Sequence, residues 1–191
     1  MLSGNPKLYI CIKDICSGLV IFKDNKIYIR FSVDARMTKL NLPDFEFIYK
    51  EKNNKKYIFD ELRRKYLLLT PEEWVRQNFV KYLVTRKSIP ASLIALEMPF
   101  NLYTLDKRSD IAIYNKQGIV VLLVECKSPD ISITQKIFDQ AAGYNLKLNA
   151  KILIITNGLS HYCYKPDYEN NKWIFLDAIP DFNELNSIFV D

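Results

Sequence analysis

The order of elements along the chain predicts an α/β domain: a mixed central β-sheet flanked by helices, with a β-rich extension at the N-terminal end. Three observations carry this. A strongly signalled helix start at Thr70 precedes a group of strand-like runs. A second amphipathic helix separates them from further short strands. The longest apolar run, Ile119-Val120-Val121-Leu122-Leu123-Val124, ends abruptly in Glu125-Cys126-Lys127. With 191 residues, 49% of them hydrophobic, the chain is long enough for one domain with a sizeable core, plus an appendage. Its 12 Tyr and 11 Phe argue against disorder.

Residues 1–36 read as the extension, which lies outside the functional domain of 37–191. In it, residues 19–22, a polar Lys23-Asp24-Asn25-Lys26 and residues 27–33 form a hairpin pattern. Leu42-Pro43-Asp44 breaks the chain. Residues 45–49 alternate, 50–56 are a polar turn, and 57–59 return as a second short hairpin. Thr70-Pro71-Glu72-Glu73 then starts a helix: Thr suits the N-cap, Pro the first helical position, and Glu at N3 closes a capping box. Val75, Phe79, Tyr82 and Leu83 follow at helical spacing up to Lys87. Pro90 ends that segment, and 92–100 reads as a strand with Glu97 inside it. A second helix runs from Thr134 to about Asn149, with Ile137, Ala141, Tyr144 and Leu148 on one stripe. Residues 152–156 are a buried strand closed by Asn157-Gly158. Two more strands, 162–165 and 173–176, flank a polar loop, and Pro180-Asp181 opens a short terminal helix.

The chemistry concentrates in the hairpin between these helices. Asp110 opens the run Ile111-Ala112-Ile113-Tyr114, Asn115-Lys116-Gln117-Gly118 turns the chain, and the next run ends at Glu125-Cys126-Lys127. Pairing Tyr114 with Ile119 puts Asp110 opposite Leu123, one diagonal step from Glu125, a separation of roughly 7–8 Å. Alternation puts Glu125 and Lys127 on one face and Cys126 on the other. Two carboxylates this close repel, so at neutral pH one is protonated or a cation lies between them. Oxygen ligands suit Mg2+ or Mn2+ better than zinc. Such an ion acidifies a bound water and neutralises phosphate charge, and a lysine beside it adds a fixed point charge. The plainer reading is an edge hairpin carrying surface charges. A buried strand that ends in Glu and Lys on one face speaks against it.

Charge and composition narrow the class. Net charge is +5, with pI near 8.9, compatible with a polyanionic partner. Basic runs at Lys50/Lys52/Lys55/Lys56, Arg63-Arg64-Lys65 and Arg86-Lys87 read as solvated faces. Lys107-Arg108 stands out because it directly precedes Asp110. The four cysteines (Cys11, Cys16, Cys126 and Cys163) show no CxxC spacing and form no zinc pattern with the single His161. Free thiols in a cytoplasmic protein account for them. A lone histidine also excludes Ser-His hydrolysis, and His161 reads as structural. No membrane-length apolar run or secretory signal occurs. No Gly-x-x-x-x-Gly-Lys-Ser/Thr is present, so the chain has no P-loop and no ATP-driven motor of its own.

The order of a Glu-bearing helix, a strand, Asp, Glu-x-Lys, a helix and a strand resembles the PD-(D/E)xK nuclease superfamily. More narrowly, the chain looks like the N-terminal nuclease domain of the type I restriction enzyme R subunit. The matching pieces are Thr70-Pro71-Glu72-Glu73-Trp74-Val75-Arg76-Gln77, Arg108-Ser109-Asp110-Ile111, Val124-Glu125-Cys126-Lys127-Ser128-Pro129, Gln140-Ala141-Ala142-Gly143-Tyr144-Asn145 and Thr156-Asn157-Gly158. Ser109 replaces the usual Pro before the Asp. The resemblance implies a restriction-endonuclease-like fold and Mg2+-dependent (or Mn2+-dependent) DNA endonuclease activity without the helicase motor. It assigns Asp110, Glu125 and the Cys126 backbone carbonyl to the metal, and Lys127 to catalysis. Glu73 becomes the helix carboxylate reaching the same centre, with Glu72 as its substitute, although Glu73 equally suits the capping box. Gln140 and Tyr144 resemble a Gln-x-x-x-Tyr element that supports DNA or the active site, against ordinary packing of the helix. Arg76, Gln77 and Arg108 would hold phosphate or brace the site. Implied partners are DNA and either other restriction subunits or a second copy. The rival from another class is a nucleic-acid-binding or scaffold module of the same fold with weak or no catalysis.

Overall fold

The computed structural model describes residues 18–23, 26–31, 37–102 and 105–187, with side chains from residue 37 onward except at 100–102, 105–107 and 147. Cys11, Cys16, the Asp24-Asn25 turn and the Lys107 side chain lie outside the described residues. The chain divides into two compact units, Met1–Thr38 with Phe45–Thr70, and Lys39–Asp44 with Pro71–Asp191.

In the first unit β1 (Gly18–Lys23) pairs antiparallel with β2 (Lys26–Phe31). A separate three-stranded antiparallel sheet follows, formed by β3 (Tyr49–Lys52), β4 (Lys55–Asp60) and β5 (Lys65–Leu68) in that order. The β3–β4 turn is far tighter than the seven-residue polar stretch suggests. Asn53 and Asn54 both take left-handed backbone angles, φ 51° and 56°, and close a two-residue hairpin that extends pairing to Lys52↔Lys55. Asparagine tolerates this conformation better than most residues, and two such residues in succession match the twist of the strands they join. At the β4–β5 bend the buried Asp60 accepts from the Arg63 backbone N–H at 2.7 Å and from Arg63 Nε at 2.8 Å.

The second unit carries a six-stranded mixed sheet in the order β11-β10-β9-β8-β7-β6. Its strands are β6 (Ile94–Leu102), β7 (Leu105–Tyr114), β8 (Val120–Cys126), β9 (Ile152–Thr156), β10 (His161–Asp167) and β11 (Lys172–Leu176). Only β8 and β9 run parallel, and α2 (Gln135–Leu148) makes the crossover that a parallel pair requires. Helix α1 (Pro71–Arg86) contacts β7 and β8, and α2 contacts β8 and β9, so β8 meets both helices. That explains the unbroken apolar run of β8 and the complete burial of β9. Ile111, Ile113, Leu122, Ile152, Ile154 and Ile155 are all fully buried, each worth about 1.5–3 kcal/mol of transfer free energy. On the α2 side Ala112, Leu123, Leu153 and Ile155 pack with Ala141, Ala142 and Ala150, and Ile137 and Leu148 join them from the predicted stripe.

The ends of the helices follow side-chain chemistry. Asn149, with φ 52°, terminates α2, its N–H bonding the Asn145 carbonyl at 2.7 Å. The Asn145 side chain then clamps Ala150 through both its backbone groups at 2.9 Å. In α3 (Phe182–Ser187), Asp181 Oδ1 accepts from the N–H groups of Asn183 and Glu184, while Glu184 Oε2 accepts from the Asp181 N–H, a reciprocal capping box. The segment after Pro90 departs from expectation: residues Ala91–Leu93 form one 3-10 turn before β6 begins.

Gly158, after β9, has φ +82°, and a Cβ built there would lie 2.7 Å from a Leu40 methyl and 3.1 Å from a Val75 methyl. Gly158→Ala therefore combines left-handed strain with overpacking, each costing about 1–3 kcal/mol. Chemical denaturation should show a loss of roughly 2–6 kcal/mol with an unchanged m-value.

Candidate active site

The register of β7 and β8 differs from the one the sequence suggests, and the difference tightens the site. The paired residues are Ile111↔Val124, Ala112↔Leu123, Ile113↔Leu122 and Tyr114↔Val120, with a bulge at Ile113/Tyr114. Leu123 thus faces Ala112 and not Asp110. Asn115 sets the closure: its Oδ1 accepts from the N–H groups of Gln117 and Ile119 at 3.0 and 2.9 Å, and its own N–H bonds the Ile119 carbonyl. Pairing therefore starts one residue later than assumed, and the bulge adds one more step. Continued outward, the ladder brings Asp110 level with Glu125, the next position after Ile111↔Val124.

Asp110 Oδ2 accepts from the Cys126 N–H at 2.7 Å. Lys127 Nζ donates to Glu125 Oε1 at 2.7 Å, and the Lys127 N–H continues the parallel ladder onto the Thr156 carbonyl at 2.8 Å. Burial pushes the Asp110 carboxyl up, against the pull of the Cys126 N–H and the Arg76 charge. Burial and then the charge of Asp110 push Glu125 up, against Lys127. Burial pulls Lys127 down, but Glu125, Asp110 and Glu72 outweigh it, so its ammonium is held more firmly than usual. The Cys126 thiol is fully buried and raised well above its ordinary range, so this residue offers the site its backbone and not its sulfur. Cys126 and Cys163 are both free and buried.

Helix α1 contributes through its first two turns. The carboxylate of the buried Glu73 accepts from Arg76 and, at 2.8 Å, from Gln77 Nε2. Arg76 also donates to Glu97 Oε1 at 2.9 Å, and its charge is felt at Asp110. The helix carboxylate whose charge reaches Asp110 and Lys127 is Glu72, which is exposed. Glu73, Arg76 and Gln77 thus form one buried polar cluster beside the Asp110–Glu125–Lys127 group.

Glu97 was visible as an acid inside a strand pattern, but its place in the site was not. It lies between the pairs Leu96↔Ile111 and Met98↔Ser109, level with Asp110, at φ 50°. A left-handed glutamate within a strand is strained, and here that backbone carries the carboxylate bound to Arg76. On α2, Gln140 Nε2 donates to Tyr144 Oη at 2.5 Å, so the two side chains engage each other. Tyr144, Glu125, Ser109 and Ala141 line one small open pocket. Arg108 is exposed, opposite Pro99 and two positions before Asp110 on the same face of β7. Among the described residues no group of three or more His, Cys, Asp or Glu side chains is arranged to hold a metal ion.

The family model for the type I restriction enzyme R protein N terminus matches residues 71–180, more than half of the chain. The chain belongs to this family. The match spans α1 through β11, and with it every side chain of the site just described. No curated protein and no solved structure matches the chain. Among the described residues no helix is long and apolar enough to cross a membrane.

His161 is structural, as its isolation suggested. Its Nδ1 pairs with Thr156 Oγ1 at 2.7 Å, its Nε2 with the Asn41 carbonyl at 3.0 Å, and its ring lies 5.7 Å from Phe79. The carbonyl can only accept, so Nε2 carries the proton and Nδ1 accepts from the threonine hydroxyl. Burial lowers its pKa from the usual 6.5. The unfolded chain then binds the proton first, so this contribution to stability is complete above pH about 6.5 and is lost as pH falls below it. Melting of wild type between pH 7.5 and 5.5 should fall more steeply than melting of His161→Gln.

Proposed function

We propose that the protein is a DNA endonuclease that hydrolyses phosphodiester bonds with Mg2+ or Mn2+. The observation that carries this reading is the convergence of Asp110, in the middle of β7, with Glu125 and Lys127 at the end of β8, where the β7–β8 pairing stops, in a chain of the restriction R-protein family.

The residues fit a hard divalent cation. Two carboxylates are both pushed towards protonation by burial, with Asp110 adding to the pressure on Glu125; a cation between them would favour their ionised forms. Asp110, Glu125 and the Cys126 carbonyl are the oxygens that would hold it. When bound, the ion supplies phosphate charge neutralisation and an acidified water.

The chain's own groups do the rest. Lys127, kept cationic and anchored by Glu125, presents a fixed positive charge to the scissile phosphate, where negative charge grows in the transition state. The Cys126 N–H fixes the orientation of Asp110. Arg76, held from both sides by Glu73 and Glu97, stiffens the wall behind it. Tyr144 offers a neutral hydroxyl in the pocket beside Glu125, held by Gln140, and Arg108 adds an exposed cation on the same face of β7 as Asp110. DNA is the substrate in this reading, with other restriction subunits or a second copy as protein partners.

Supercoiled plasmid incubated with Mg2+, Mn2+ or EDTA, beside Lys127→Ala, tests it. Nicking in either metal that is absent in EDTA and reduced at least about a hundredfold in the variant is expected. Binding without cleavage in both metals would favour the binding-module reading.

A further inference from the structure

The three-stranded sheet of the first unit lies outside the residues matched by the family model and has two unlike faces. Register assigns the faces. Lys50 pairs with Tyr57, Lys52 with Lys55, Tyr57 with Leu68 and Phe59 with Tyr66, so all seven share one face. The opposite face buries Ile58 and Asp60 completely or nearly so. The shared face holds three exposed lysines, three half-buried aromatic rings, an exposed leucine and no carboxylate. Among the described residues none of the three lysines forms an ion pair.

Two features of this face are costly without a ligand. Lys52 and Lys55 stand directly opposite each other, an arrangement that destabilises a strand pair. The rings of Tyr57, Phe59 and Tyr66 stay partly in water although they are grouped: Phe59 and Tyr66 lie 5.1 Å apart, and Lys50 Nζ sits 4.1 Å from the Tyr66 centroid and 5.5 Å from that of Tyr57. A polyanion relieves the first, and a flat apolar group relieves the second. Single-stranded nucleic acid carries both at a short repeat, phosphates for the lysines and unstacked bases for the rings. Duplex DNA hides its base faces and an acidic peptide lacks them.

We propose that this face of the β3–β4–β5 sheet is a binding platform for single-stranded DNA. The choice of DNA over RNA rests on the nuclease reading above; the platform itself does not. Its role would be to hold DNA that is unpaired.

The test is fluorescence anisotropy of a labelled twenty-residue oligothymidylate and of a length-matched duplex, with the full chain in EDTA over a range of salt. Lys50→Gln/Lys52→Gln/Lys55→Gln should weaken oligothymidylate binding at least tenfold and flatten its logarithmic salt slope by about 2, given roughly 0.7 per lost phosphate contact. Tyr66→Leu should weaken oligothymidylate roughly tenfold and duplex much less, because only unstacked bases use the ring. Unchanged binding by both folded variants, or equal losses on single strand and duplex, would overturn the platform. Tighter binding of oligouridylate than oligothymidylate would overturn the DNA assignment. Because cleavage is blocked in EDTA, the two readings fail separately: binding by a protein that never cuts removes only the nuclease, and cutting with no effect of these variants removes only the platform.

Discussion

Asp110→Asn should lower metal-dependent DNA cleavage by a factor of about 10²–10⁴ while leaving the melting temperature unchanged or slightly raised. The first half follows from charge. In the proposed mechanism Asp110 and Glu125 are the two carboxylates that would hold the divalent ion, and removing one would leave too little negative charge to hold it. The second half follows from what Asp110 does for the fold. Asparagine has the same shape and keeps an oxygen to accept from the Cys126 N–H, so the strand end stays tied. Burial raises the Asp110 pKa above its unfolded value, so ionised Asp110 opposes folding once pH exceeds the ordinary carboxylate range. The neutral amide removes that opposition and also relieves Glu125. Activity and stability would move in different directions, which a merely structural aspartate does not do. Metal titration by calorimetry should show weakened binding in parallel. A variant that cuts at the wild-type rate would remove Asp110 from the chemistry.

The sequence carried the large elements of this fold because each is signalled redundantly. Helix α1 has a start signal and a buried spacing that agree, and Val75, Phe79 and Leu83 are indeed inaccessible. Strand β8 is legible because a strand covered by helices on both sides must be apolar throughout. What escaped was decided by single side chains or single dihedrals. Asn115 fixed where β7 and β8 begin to pair, and the bulge beside it shifted the register again; neither leaves a trace in hydrophobic alternation. Two successive left-handed asparagines turned a long polar stretch into a two-residue hairpin. Strand β5, only Lys65–Leu68, is too short for its pattern to stand out. The grouping of Asp110, Glu125 and Lys127 was readable, because Glu and Lys at the end of a buried strand, beside an Asp on its neighbour, are anomalous. The partner of each α1 carboxylate was not, since Glu72 and Glu73 are neighbours in sequence yet point into different surroundings. Glu97 meets Arg76 from a left-handed backbone position, which hydrophobic alternation does not signal.

That last distinction separates two roles which the sequence left open, and it can be measured. Glu73→Ala should cost about 3 kcal/mol, near the lower end of the range for breaking a buried pair, because the Arg76 cation loses one partner but keeps the half-exposed Glu97. Gln77 also loses the acceptor it reaches at 2.8 Å. For a chain of this size the loss corresponds to a melting temperature roughly 6–12 °C lower. Glu72→Ala removes an exposed carboxylate from the first turn of α1, where favourable interaction with the helix dipole is worth about 0.3–1 kcal/mol, so stability should change little. Its charge acts on Asp110 and Lys127, and its loss should appear in the metal dependence of cleavage as a higher half-saturating concentration. The pair of variants therefore crosses over: one unfolds early, the other is stable but needs more metal. If Glu73→Gln, which keeps the size and one acceptor oxygen, abolished cleavage at an unchanged melting temperature, Glu73 would be the ligand and Glu72 the bystander. Arg76 would then be a cation that the metal displaces, not a strut behind the site.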